Sequence, residues 1–115
     1  MSRTRREITV RSVRRTEPLF AALGDKTRLA LVVKLSRGTR FSIAYLTKGS
    51  ALSRQAITKH LRVLRDAGLV RAARRGRETL FQLQPNRVDD ARRALNNISR
   101  QWDEALARLK SFVEE

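Results

Sequence analysis

The sequence contains no cysteine. Disulfides, thiolate metal sites and thiol catalysis are excluded together. Histidine occurs once, at His60, and one imidazole with no thiolate beside it cannot build a transition-metal site unaided. Aromatic residues make up only 5% of the chain, which leaves little for stacking unpaired bases in the manner of RNA modules. No apolar run is long enough to span a bilayer. The N-terminal "MSRTRREITVRSVRR" lacks the apolar centre of a secretory signal. It is Arg-rich and acid-poor, which is only weakly like a mitochondrial transit peptide. Neither a Gly-rich phosphate loop nor a nucleophile paired with a base stands out, so an enzyme is not expected.

Acidic residues are scarce too, 11 Asp and Glu against 26 Lys and Arg, for a net charge of +15. A globular chain this basic is expected to meet a polyanion, namely DNA, RNA or an acidic membrane surface; the bland alternative is a merely soluble basic protein. Hydrophobic residues reach 41%, too many for a disordered chain. The 115 residues suit one domain that buries roughly two thirds of its unfolded surface. No internal repeat or low-complexity stretch interrupts it.

Residues 1–16 read as a basic arm, with Ile8, Val10 and Val13 its only large apolar groups; disorder, a short strand or a short helix docked on the body are all open for it. A body of residues 17–115 follows. Pro18 suits the first turn of a short helix whose apolar face is Leu19, Phe20 and Leu23, and Gly24 is placed as its left-handed stop. Asp25 is expected to cap "KTRLALVVKLS", which is apolar almost all round from Leu29 to Leu35 and so belongs at the centre of a bundle. Phe41 to Lys48 reads as a third, short helix with Ser42 as N-cap. After the link "GSAL", Ser53 caps a fourth helix over 53–67 that stops at Gly68. The period then becomes strand-like: "LVRAA" and "ETLFQL" around "RRGR" read as a β-hairpin over 71–83. Pro85 and Asn86 break the chain, and a long final helix runs from about 88 to 113. The fold class expected is mainly α with a small β-hairpin, in the order α-α-α-α-β-β-α.

Two helices joined by a short Gly-containing turn, the second of them basic, form the helix-turn-helix pattern. On a helical wheel Ala56, Ile57, His60, Leu61, Val63, Leu64 and Ala67 share an inward arc. Arg54, Gln55, Thr58, Lys59, Arg62, Arg65 and Asp66 share the other. Arg donates twice to guanine O6 and N7, and Gln both donates to and accepts from adenine, each good pair discriminating by about 1–3 kcal/mol. The first turns of a reading helix enter the groove, which favours Arg54, Gln55, Thr58 and Lys59. Ser53 caps the helix or meets phosphate, and Arg62 and Arg65 suit phosphate or water. A solvated face is the alternative for an isolated helix. Here the hairpin tip adds Arg74, Arg75 and Arg77 around Gly76, suited to phosphate or a narrow minor groove. The alternative there is a charged tip that keeps a sheet edge soluble.

From Ala91, apolar residues fall at Leu95, Ile98, Trp102, Ala105, Leu109 and Phe112 in alternating steps of four and three, a heptad seam. The expected use is a homodimer interface, with Leu19 of the first helix assisting. The alternative is a helix that only covers its own core, and Phe20, Phe41 and Trp102 all look core-facing.

These stretches resemble the ArsR-type winged-helix transcriptional regulators. "FAALGDKTRLALVVKL" looks like that family's opening motif, "LSRQAITKHLRVLRDAGLV" like its recognition-helix motif, and "RRGRETLFQL" is similar to its wing. The tail "ISRQWDEALARLKSFVEE" resembles a branch with a Trp-containing terminal helix. The resemblance implies a dimeric, cytoplasmic, nucleoid-associated bacterial repressor that leaves a palindromic operator when a signal arrives. Many members sense metals through Cys, or through His and carboxylates on the terminal helices. This chain departs there, since Asp89, Asp90, Asp103 and Glu104 are carboxylates on a last helix that holds no His, in a chain with no Cys, and a non-metal-sensing branch is implied. No cofactor and no membrane are expected. A small-molecule inducer is left open, as no residue set specifies one. The rival reading is a sequence-blind basic nucleoid or RNA-binding protein.

Overall fold

The structure, a computed structural model, describes residues 5–114, with side chains from Arg14 onward. Helix α1 spans Arg5–Leu23 and α2 Lys26–Ser36. Strand β1, Phe41–Ser42, leads into α3, Ile43–Thr47, and α4 covers Arg54–Asp66. Strands β2, Val70–Arg75, and β3, Glu78–Leu83, precede α5, Pro85–Glu114. This is the expected mainly helical winged helix-turn-helix architecture with a long last helix.

Each short element is fixed by its ends. Asp25 accepts the Arg28 backbone N–H at 3.0 Å, Ser42 accepts that of Tyr45 at 3.2 Å, and Ser53 accepts that of Ala56 at 3.1 Å. Each bond satisfies an orphan donor at a helix start. The end of α4 is a complete Schellman motif. The Gly68 N–H bonds the Arg65 carbonyl at 2.9 Å, the Leu69 N–H bonds the Leu64 carbonyl at 3.0 Å, and Gly68 takes φ +83°. Leu64 and Leu69, brought together by that turn, are both buried.

The core joins Leu19 and Ala22 of α1, Leu31 and Leu35 of α2, Leu46 of α3, and Ile57, Leu61 and Leu64 of α4 to Leu69, Val70, Phe81 and Ala91. Ile57, Leu61 and Leu64 stand four and three residues apart, so one face of α4 is locked down while the other stays outside.

Several expectations need correction. The first helix does not begin near Glu17 but at Arg5, so of the states open to the arm its backbone from Arg5 takes the helical one, continuous with the rest of α1. Ile8, Val10 and Val13 lie outside the described side chains, as residues 1–4 and Glu115 lie outside the structure described. Pro18 therefore sits inside α1, a placement that costs about 3 kcal/mol in an ordinary helix and is offset by burial of Thr16, Leu19 and Ala22 around it. Gly24 is not left-handed; among the described residues positive φ occurs only at Gly49, Gly68 and Gly76. Phe41 and Ser42 are not helical. They add a third strand, pairing antiparallel with Phe81 and Leu80 in a sheet of order β1-β3-β2. A two-residue strand is too short to show alternation in a sequence. Helix α2 is not surrounded: Leu31 and Leu35 are buried, but Leu29 and Val33 are half exposed, left uncovered among the described residues. Val63, placed on the inward arc, is exposed; it stands one residue, about 100°, from Leu64 on the helix.

Candidate nucleic-acid interface

Arg54, Gln55, Thr58, Lys59, Arg62 and Arg65 are all exposed on α4. The face splits in two. Arg54, Thr58, Arg62 and Arg65 follow one another at steps of four, four and three, and they turn toward the hairpin. Together with Ser42, Arg77, Thr79 and the edge of Phe81 they line a groove of about 490 Å³. Gln55 and Lys59 stand to the other side of that stripe, outside the groove. The Thr58 hydroxyl donates to the Arg54 carbonyl at 2.7 Å, so its hydrogen is used within the helix and its oxygen can still accept.

The hairpin turns through Gly76 and Arg77. Gly76 has φ +63° and Arg77 does not have positive φ, as in a type II′ turn with glycine first. The register pairs Arg74 with Thr79 and Arg75 with Glu78. Arg74, Arg75 and Arg77 are exposed, but only Arg77 reaches the groove beside α4. Arg65 and Thr79 are among the groove residues missing from the sequence-based site, as are Ser42, Glu78 and Phe81. Arg65 was legible as the next member of the 54-58-62 stripe. Thr79 was not, because its place depends on strand register.

The ion pairs seen elsewhere make the charge here distinctive. Asp89 is paired with Arg92 and Arg93, and Asp90 with Arg87 and Arg15. No ion pair holds Arg54, Arg62, Arg65, Arg74, Arg75 or Arg77 among the described residues. Glu78 also lines the groove but is ion-paired with none of these arginines among the described residues, so their guanidinium groups are free to take phosphate oxygens.

His60 lies at the inward edge of α4 as expected. Its Nδ1 is 3.7 Å from an Asp25 carboxylate oxygen and 3.4 Å from the Arg28 guanidinium, so it ties α4 to the start of α2. The Asp25 carboxyl is held below the usual carboxylate range chiefly by the Arg28 backbone N–H, with the Arg28 and His60 charges adding to it. Asp89 is held low chiefly by its hydrogen bond from Arg92. No cluster of three or more metal-ligating side chains occurs among the described residues, and no described helix is long and apolar enough to cross a membrane.

The residues expected at a dimer interface divide. Leu19 is fully buried in the protomer's own core and has no surface to give a partner; its i, i+3 neighbours in sequence could not reveal which face of α1 meets the core. Leu95, Trp102, Leu109 and Phe112 are more than half exposed, Ile98 is 37% exposed, and Ala105 is half-buried. Trp102 is thus not core-facing within the protomer. Leu106 and Val113 extend the same apolar stripe.

A short helix, a turn, a second helix holding out unpaired cations, and a basic hairpin at its side define a winged helix-turn-helix DNA-binding protein. Comparison with known proteins agrees. The chain is 35% identical over 96 residues to YuzN of Bacillus subtilis, an uncharacterized HTH-type transcriptional regulator, covering 76% of this chain and 95% of that one. It is 32% identical over 68 residues to the arsenical resistance operon repressor of Escherichia coli, covering 59% of this chain and 58% of that one. Among solved structures, an ArsR-like transcriptional regulator from Rhodococcus sp. RHA1 superposes with a TM-score of 0.69 at 35% identity, over 85% of this chain and 92% of that one. No protein-family model matches the chain. The chain belongs to the ArsR family of HTH-type transcriptional regulators, and is not an enzyme.

Proposed function

We propose that the protein is a homodimeric repressor that binds a palindromic operator, with α4 in the major groove and the β2–β3 hairpin as its wing. The observation that carries this reading is the groove where the free guanidiniums of Arg54, Arg62 and Arg65 on α4 face Arg77 on the hairpin. Phosphate contacts from these arginines, and from Arg74 and Arg75, supply most of the affinity and fix register. Arg54, Gln55, Thr58 and Lys59 supply base reading, and Ser53 holds the helix start while meeting a phosphate. The apolar stripe of α5 supports the dimer: Leu95, Ile98, Trp102, Leu106, Leu109 and Phe112 are all exposed in the protomer, and a contiguous exposed apolar patch marks an interaction surface. A twofold pair of reading helices spans two half-sites one turn apart, about 34–36 Å. The work of such a regulator places it on the chromosome in the bacterial cytoplasm.

Selection of bound duplexes from a random pool tests both parts. A palindromic consensus is expected, and affinity spread evenly over the pool would instead indicate a sequence-blind binder. On the selected duplex, Gln55→Ala or Arg54→Ala is expected to weaken binding by about 1–3 kcal/mol with little change on random duplex. Equal losses on both would show that this face reads no bases.

A further inference from the structure

The outer side of α2 forms a second groove, away from the arginine face. It has a volume of about 650 Å³, within the range of about 300–1,000 Å³ that small-ligand sites occupy, and runs between α2 and the turn from α3 to α4. Leu31, Leu46 and Ile57 of the buried core form its floor. Ala30, Val33 and Leu52 line its walls, with Val33 50% and Leu52 37% exposed. Lys26 and Arg37 stand along it, and no acidic residue lines it. Neither of these cations is ion-paired among the described residues. The third cation, Lys34, is committed elsewhere: its ammonium donates to the Leu46 carbonyl at 3.3 Å and the Lys48 carbonyl at 3.0 Å, closing the C-terminal end of α3.

An apolar trough with two free cations and no carboxylate is complementary to a molecule with an apolar body and one negative charge. Three exposed apolar side chains are too few for the i, i+3, i+4, i+7 anchors by which a partner helix is held, so the dimensions favour a small molecule over an acidic peptide. The position gives an occupant leverage. The wall from Gly49 to Leu52 leads directly into Ser53, and Ile57 in the floor lies one turn along α4 from Arg54. A ligand lodged under that turn tilts the start of the reading helix.

We propose that this groove binds an amphipathic monocarboxylate, and that its occupancy weakens DNA binding. Binding is independent of whether α4 reads sequence, so its test needs no operator. The isotope-labelled full chain is titrated with decanoate below its micelle concentration and followed by amide NMR, with decylammonium as the cationic control of equal length. Saturable shifts at Val33, Gly49 and Leu52 are expected for decanoate and not for decylammonium, and Val33→Glu, a change at an exposed position, is expected to weaken decanoate at least tenfold. Equal response to both amphiphiles, shifts centred on the α5 stripe, or response only to an acidic amphipathic peptide would each overturn the proposal. With random duplex at fixed salt, saturating decanoate is expected to raise the DNA dissociation constant severalfold in the native chain and not in Val33→Glu. Unchanged DNA affinity at saturation would refute the effector role.

Discussion

Replacing Trp102 with Asp tests the pairing of α5 helices most directly. Trp102 is 65% exposed in the protomer. A tryptophan presents up to about 250 Å², so roughly 160 Å² of it is available to a partner. At about 25 cal/mol per Å² its burial contributes up to ~4 kcal/mol. A twofold dimer buries two copies, so the pair represents up to ~8 kcal/mol. Removing even half of that weakens association by about a thousandfold, since each factor of ten is about 1.4 kcal/mol. An aspartate adds the cost of desolvating a charge. The protomer itself should be spared, because Trp102 takes no part in the buried core. Sedimentation equilibrium of Trp102→Asp should show monomers at concentrations where the native chain is dimeric, with an unchanged helical circular dichroism spectrum. Leu109→Asp, 61% exposed at the native residue, should do the same, and Trp102→Phe should leave most of the dimer. A dimer of native strength in both Asp variants would refute the assignment of α5 as the seam. Loss of fold in Trp102→Asp would show that the ring covers its own core.

Three further outcomes are expected. Gly68→Ala and Gly49→Ala both force a side chain into left-handed backbone, at φ +83° and +79°, a cost of roughly 1–2 kcal/mol. Only at Gly68 would the new Cβ also meet Arg87, 3.1 Å from its Nε, so urea denaturation should show a larger loss there, and Arg87→Ala should remove the excess; equal losses would dismiss the contact. Arg77→Ala should reduce the salt dependence of DNA binding by about one phosphate's worth, ~0.9 in the logarithmic slope, and an unchanged slope would remove the hairpin tip from the interface. Asp25 and Asp89 titrate below the usual range in the folded chain, so their stabilisation is present above the unfolded carboxylate value of about 4 and is lost as pH falls through it toward the lowered folded values. Unfolding measured across that window should be less pH-dependent in the Asp25→Asn, Asp89→Asn double variant; an identical profile would assign the acid sensitivity elsewhere.

Much of the interface was readable from residue spacing because it is carried by one helix. The positions of Ile57, Leu61 and Leu64 state which side of α4 is buried, and Arg54, Gln55, Thr58 and Lys59 are outward by elimination. Arg65 follows from the same periodicity. The failures lie where a residue's neighbours come from distant parts of the chain. Phe41 is strand because Phe81 is opposite it. Pro18 is tolerated inside α1 because the helix around it has a core to bury against. Leu19 and Trp102 are both apolar residues on helices with periodic patterns. One is fully buried and the other mostly exposed, and only the position of α1 and α5 against the remaining helices distinguishes them.

By itself, then, the sequence determined the order of helices and hairpin, the caps at Asp25, Ser42 and Ser53, and the cationic face of α4. These depend on interactions within a few residues or on charge. Tertiary structure decided the third strand, the convergence of Arg62, Arg65 and Arg77 on one groove, and the half-exposure of α2 that opens the apolar trough beside Leu52. Each depends on which surfaces of already formed elements are left over once the core is closed, and periodicity along the chain carries no information about what lies across from it.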